Sequence, residues 1–177
     1  MARRSFWTVI VLLVLTGSAW ARGPVAIIED TVWSPDDATR DGAAELGVLV
    51  ALAQLQATQP VVGLVGIGDR RGIFQDGTRR GLEYAVGQGV PVVRLARGVR
   101  DCSPPETDLL IDGGNLSPEA AVKLLGECLA RFGPLPKNDS PEPPTPRQQR
   151  NLQKKLQLYR AAFTFRQPAA SATVAMR

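Results

Sequence analysis

From Val61 to Ile67 the chain reads Val-Val-Gly-Leu-Val-Gly-Ile, an unbroken apolar run that follows Pro60 and ends in a glycine-containing turn. The run is too short for a typical helix, and a strand that is apolar on both faces belongs inside a parallel sheet with helices over it. This segment predicts a central parallel strand.

The flanking sequence fits that expectation. Val25-Ala26-Ile27-Ile28, bounded by Pro24 and by Glu29-Asp30, reads as a buried strand. Ser34-Pro35-Asp36-Asp37 supplies a capping hydroxyl, a proline for the first helical position and acids for the positive end of the helix dipole. The helix that starts there runs towards Ala57, and Gly42 and Gly47 leave two shorter helices as the alternative. A helix over Asp76–Gln88 carries Leu82, Ala85 and Val86 on one side and Arg79, Arg80 and Glu83 on the other, with Gly89 to end it. Val90–Leu95 is a third strand, and Pro91 stands near its first residue, where a missing donor is tolerated. Asp108–Asp112 is a candidate fourth. The best-marked helix has Ser117 as cap, Pro118 at the first position, Glu119 in the first turn and Gly133 as terminator. Its stripe of Ala121, Leu125, Cys128 and Phe132, with Val122, Leu124 and Leu129 alongside, must be covered by the sheet. Together these elements predict a small three-layer domain over residues 22–133, a mainly parallel sheet of about four strands flanked by helices.

Residues 134–146 are proline-rich and polar, a composition that favours extended chain and cannot bury a core, so they read as a linker. Helical spacing resumes over 147–165, where Leu152, Leu156, Tyr159 and Phe163 form one apolar stripe and Arg150, Lys154, Lys155 and Arg160 give a basic back. Docking on the domain is the expectation for this helix, ahead of membrane-surface or nucleic-acid binding. Residues 166–177 read as a disordered tail.

At the N-terminus Arg3 and Arg4 precede an apolar stretch from Phe6 to Leu15, and Ala19-Trp20-Ala21 offers the small residues a signal peptidase needs. This layout predicts a secretory signal over residues 1–21, cut after Ala21, and a mature chain that works in the periplasm or outside the cell. The stretch stops at Thr16-Gly17-Ser18, short of the roughly 20 apolar residues a membrane span needs, so no stable span is expected. Losing Arg3 and Arg4 lowers the formal net charge from +4 to +2. The basic pI then carries little weight, and a nucleic-acid partner is not expected.

Composition limits the chemistry. Histidine is absent, which excludes Ser-His-Asp and Cys-His catalysis and zinc sites built on imidazole. Gly66-Ile67-Gly68 followed by Gly72 departs from G-x-G-x-x-G and has no ribose-binding acid about 20 residues on, so no dinucleotide is expected. No other cofactor or metal is expected either. In an oxidising compartment Cys102 and Cys128 leave two alternatives open, a structural disulfide or a buried thiol at Cys128 on its helix.

Three further patterns share one likeness. Val62-Gly63-Leu64-Val65-Gly66-Ile67-Gly68, Gly89-Val90-Pro91-Val92-Val93-Arg94-Leu95-Ala96-Arg97 and Gly114-Asn115-Leu116-Ser117-Pro118-Glu119-Ala120-Ala121-Val122-Lys123-Leu124-Leu125 occur in order and at fitting distances. They resemble the C-terminal domain of the bacterial L-asparaginase/glutaminase family: an apolar strand entering a G-x-G turn, a strand followed by paired arginines, and a G-x-L-x-P helix start. Asn151–Tyr159 is similar to that family's terminal helix. The resemblance implies an α/β domain that associates subunits and lends residues to a neighbouring active site. The family's threonine nucleophile and its threonine-aspartate-lysine support belong to a larger N-terminal domain that has no counterpart here. Asp76-Gly77-Thr78 has a superficial likeness to that machinery, but Thr78 reads as a capping or first-turn residue.

At the position that matches the family's contacting asparagine this chain has Arg71, and Glu106 could stand in for the acid of the following loop. The ligand-contact candidates are therefore Gly68, Asp69, Arg70, Arg71 and Glu106. Without the nucleophile they cannot perform acyl transfer alone. The leading expectation is a binding or subunit-assembly module, as a homo-oligomer or beside an asparaginase-like partner subunit. The alternatives are amidohydrolase activity through a rebuilt or shared site around Asp69, Arg70, Arg71, Asp101 and Glu106, and a site for a small anion held by Arg70 and Arg71.

Overall fold

The computed structural model describes residues 25–30, 49, 53, 61–97, 107–138 and 143–166, together with the backbone of residues 11–14. Among the described residues the sheet has five strands in chain order: β1 (Val11–Val14), β2 (Val25–Glu29), β3 (Gly63–Ile67), β4 (Val92–Leu95) and β5 (Ile111–Asp112). Strands β2 to β5 are parallel, with Ala26 beside Leu64, Leu64 beside Val92 and Val93 beside Ile111. The run from Val61 to Ile67 thus supplies the central strand of the sheet, as its apolar faces predict, and Leu64 and Val65 are fully buried. Strand β1 has no separate sequence signal of its own; it lies in the stretch read as leader and pairs antiparallel with β2. The expected fourth strand is shorter than the segment read for it.

Three helices described over their whole length follow the pattern of the sequence: α1 (Asp76–Gly87), α2 (Pro118–Phe132) and α3 (Pro146–Arg166). Two glycines of β3 show how the layers stack. Gly63 and Gly66 are an odd number of residues apart, so they face opposite sides of the sheet. A β-carbon on Gly63 would meet Leu125 and Leu129 of α2, at 2.9 and 3.2 Å, whereas one on Gly66 would meet Phe74 and Leu82, also at 2.9 and 3.2 Å. The central strand is therefore pressed by α2 on one face and by α1 with Phe74 on the other. This is a small three-layer α/β domain.

Helix α2 begins and ends as its sequence requires. The Ser117 hydroxyl accepts from the Ala120 amide at 3.2 Å, Pro118 takes the first helical position, and Gly133 adopts φ 72° at the far end. The Glu119 carboxyl is held below its ordinary range by its own backbone amide and by the Ser117 hydroxyl. Ala121, Val122, Leu125 and Cys128 are buried, which is the stripe read from their spacing.

Helix α3 docks on α2 and β5, the outcome expected of its apolar stripe. Leu156, Tyr159 and Phe163 are fully buried and Leu152 is half-buried. The basic side is partly engaged as well. Lys155 donates to the carbonyl of Phe132 at the end of α2, Arg160 donates to the carbonyl of Asp108, and the Tyr159 hydroxyl donates to the Gly133 carbonyl at 2.7 Å. Helix α3 starts at a reciprocal cap: the Thr145 hydroxyl accepts from the Gln148 amide at 3.3 Å, and Gln148 Oε1 accepts from the Thr145 amide at 2.8 Å. No described helix is long and apolar enough to cross a membrane.

Ahead of that cap, the first residues of the proline-rich segment are fixed. Leu135 is buried, its amide donates to the Gly89 carbonyl at 3.1 Å, and the Asn138 amide donates to Gly87 at 2.9 Å. The expected helix from Ser34 to Ala57 lies outside the described residues except for Leu49 and Ala53, which are helical. The signal region apart from β1, and the tail beyond Arg166, also lie outside them.

Candidate functional site

The candidate loop lies where β3 ends, among the turns at the C-terminal edge of the parallel strands, the usual side for ligands in open α/β sheets. Gly68, Asp69, Arg70 and Arg71 come together there in one tight turn. The Asp69 carboxylate is turned back on its own loop, with Oδ1 accepting from the amides of Arg71 and Ile73 at 2.8 Å each. The Asp69 carbonyl accepts from Gly72 at 3.0 Å, and the Asp69 amide donates to Ile73 at 2.9 Å. Gly68 is required by close approach: a β-carbon there would lie 2.7 Å from the backbone of both Gly72 and Ile73.

Arg70 and Arg71 are exposed at the tip of this turn, and neither holds an ion pair or side-chain hydrogen bond among the described residues. Glu106, Asp101 and Cys102 lie outside the described residues. The structure therefore describes neither a meeting of Glu106 with the loop nor the disulfide between Cys102 and Cys128. Cys128 itself is buried on α2.

Four residues that the sequence did not single out as site residues, Asp30, Arg94, Asp112 and Arg97, hold the loop in place. Asp30, just past β2, caps α1 from outside: Oδ2 accepts from the Gln75 amide at 2.8 Å and Oδ1 from the Thr78 hydroxyl at 3.2 Å. A carboxylate therefore occupies the positive end of the α1 dipole, where a bound anion would otherwise sit. Thr78 is buried in the first turn of α1, as its sequence position predicts. The second pair is Arg94 of β4 and Asp112 of β5, which are register partners. Arg94 is 2% exposed, reaches Asp112 Oδ1 at 3.2 Å and donates to the Gly72 carbonyl at 3.4 Å. Asp112 Oδ1 also accepts from the Gly114 amide at 3.0 Å.

Arg97 completes the tie. Its guanidinium lies 2.7 Å from Glu29 and donates to the Asp30 carbonyl at 3.2 Å, while its amide donates to the Asp69 carbonyl at 2.8 Å. The two arginines read as a pair in the sequence thus have separate duties, one under the β3 turn and one across the ends of β2 and β3.

Two cavities of about 480 and 470 Å³ lie elsewhere, between α2 and α3 and between α1 and α3, and residues 68–72 line neither. Comparison with family models, with curated proteins and with solved structures finds no match to this chain.

Proposed function

We propose that this chain is an exported binding or subunit-assembly module, similar to the C-terminal domain of the asparaginase/glutaminase family and without hydrolase activity of its own. The observation that carries the reading is how the described carboxylates at the sheet edge are used. Asp69 accepts two amides of its own turn, Asp30 accepts an amide and a hydroxyl at the start of α1, and Asp112 holds Arg94 and an amide. Groups committed to backbone amides are poorly placed to move protons for a substrate. Thr78 does face a carboxylate, but it is 2% exposed inside the first turn of α1, away from any substrate that enters from solvent.

The test is ammonia release from L-asparagine and L-glutamine by the purified chain, beside a family enzyme as positive control. Background rates are expected. Activity that survives purification would overturn the reading and favour the rebuilt or shared amidohydrolase site.

Export is part of the same proposal. Cleavage after Ala21 removes β1 and leaves β2 as the edge of a four-stranded parallel sheet. Expression in a secreting host, followed by N-terminal sequencing, should return Arg22 as the first residue. A chain that keeps Met1 in the cytoplasm would contradict it. The exposed Arg70 and Arg71 support a second reading, a site for a small carboxylate or phosphate at the β3 turn.

A further inference from the structure

We infer that the solvent side of α3 is a docking surface for an anionic lipid bilayer, on which the domain rests with this helix lying along the membrane plane. The inference goes beyond the module proposed above and stands on α3 alone. Residues 146–166 carry six cations and no acid. Arg147, Arg150, Lys154, Leu158, Ala161 and Phe165 recur every three or four residues, which sets them on one stripe of the helix, and all six are exposed. The stripe runs for about 27 Å and lies roughly half a turn from Leu152, Leu156, Tyr159 and Phe163, the side chains that fasten α3 to the domain. Docking on the domain therefore leaves the opposite stripe whole.

The order of residues along the stripe identifies the occupant. Its first half holds three cations, Arg147, Arg150 and Lys154, and none of them has an ion pair or side-chain hydrogen bond among the described residues. Its second half presents two large apolar side chains to water, Leu158 at 49% exposure and Phe165 at 91%. An anionic bilayer offers phosphates to long cationic side chains and, about 5–10 Å deeper, hydrocarbon to apolar ones, so one surface satisfies both halves. A nucleic-acid backbone would match the cations but leave Leu158 and Phe165 in water. The cavity beside the apolar half is lined by one acid, Glu127, and one cation, Arg131, so its walls set no net charge against the lipid.

Co-sedimentation of the full chain with vesicles of phosphatidylcholine, alone or with about one quarter phosphatidylglycerol, tests the inference. Binding at least about tenfold tighter to the anionic vesicles is expected, and added salt should weaken it. Arg147→Glu, Arg150→Glu and Lys154→Glu together should abolish that preference, and Leu158→Ser with Phe165→Ser should weaken binding at least about fivefold. All five side chains are exposed, so the thermal midpoint should stay that of the parent. Phe165→Trp should keep the affinity, and brominated lipid chains should quench its added fluorescence, a signal that misfolding or charge attraction alone would not give. Absence of that quenching, or binding with no preference for anionic vesicles, would overturn the inference. A preference that survives both sets of changes would do the same by placing the contact elsewhere on the chain. So would a nucleic-acid duplex that binds more tightly than the vesicles and is released by loss of the three cations but not of the apolar pair. Ammonia release by the same preparation would sink the proposed module and leave this surface untouched.

Discussion

The α2–α3 pair and the turns at the C-terminal edge of the sheet both set basic side chains on backbone carbonyls, but the supports differ. In the helix pair, Lys155 and Arg160 reach their carbonyls from a helix already held by three fully buried side chains, Leu156, Tyr159 and Phe163. At the sheet edge the polar groups are much of the support: Arg94 spans Asp112 and Gly72, and Arg97 spans Glu29, Asp30 and Asp69. Apolar burial fixes the first region and polar contacts only trim it. In the second, tight turns with exposed tips keep their shape through hydrogen bonds and ion pairs, which are directional but contribute less per group.

Two substitutions should separate these supports, both measured by urea denaturation. Phe163→Ala is expected to cost about 4 kcal/mol, through lost burial and the cavity it leaves between α3 and the domain. A loss below about 1 kcal/mol would mean that α3 is a surface appendage whose docking stabilises little. Asp112→Ala should cost about 3 kcal/mol, because it takes the carboxylate from a guanidinium that is only 2% exposed. The half-exposed carboxylate is the easier partner to rehydrate, so Arg94→Leu should cost less than Asp112→Ala. The reverse order would show that Arg94 matters for the Gly72 carbonyl rather than for the ion pair.

The same contrast explains what could be read from the sequence. Helix α2 was legible because its cap, first-turn proline, apolar spacing and terminal glycine all lie within one local stretch. Helix α3 was legible from its stripe alone, because its Thr145–Gln148 cap begins inside the proline-rich segment that reads as linker. The central strand was legible because no polar residue interrupts it. The site was legible only as a place, a turn after a strand with charged residues in it. Its wiring was hidden because the partners are distant in sequence: Asp30 lies 48 residues from Thr78, and Arg97 lies 67 from Asp30. No periodicity connects such pairs. Asp69 is ambiguous for a different reason, since an aspartate that closes its own turn and one that greets a ligand have the same local sequence. The leader-like run at Val11–Val14 shows the same ambiguity in apolar form, because a signal core and an edge strand share a composition.

A smaller effect sharpens the helix side of the comparison. Tyr159 is fully buried and hydrogen-bonded to Gly133, and burial raises its hydroxyl pKa above the ordinary 10.0, with the neighbouring Cys128 adding to the shift. The folded state therefore favours the neutral phenol. Its contribution is complete below pH 10 and declines as pH rises beyond that, towards the higher folded value. Tyr159→Phe should cost about 1 kcal/mol at neutral pH, through the lost hydrogen bond, and should flatten the decline in stability at alkaline pH. An unchanged alkaline profile would assign that decline to other groups.

The smallest effects should come from the tip of the β3 turn, where one loop holds both kinds of residue. Asp69→Ala removes the acceptor of two amides, but both are close to solvent and can take water instead, so a loss near 1 kcal/mol is expected. Arg70→Ala and Arg71→Ala touch no described partner and should stay within about 0.5 kcal/mol of the parent. If the turn binds a small anion, phosphate or acetate should raise the thermal midpoint of the parent, and the double arginine variant should lose that shift while keeping its own stability. The Asp30 carboxylate already fills the start of α1, so the two arginines would have to supply nearly all of the attraction. Binding that survives their removal would place the anion elsewhere. A parent that shows no shift would leave the turn as a structural closure with two solvated cations at its tip.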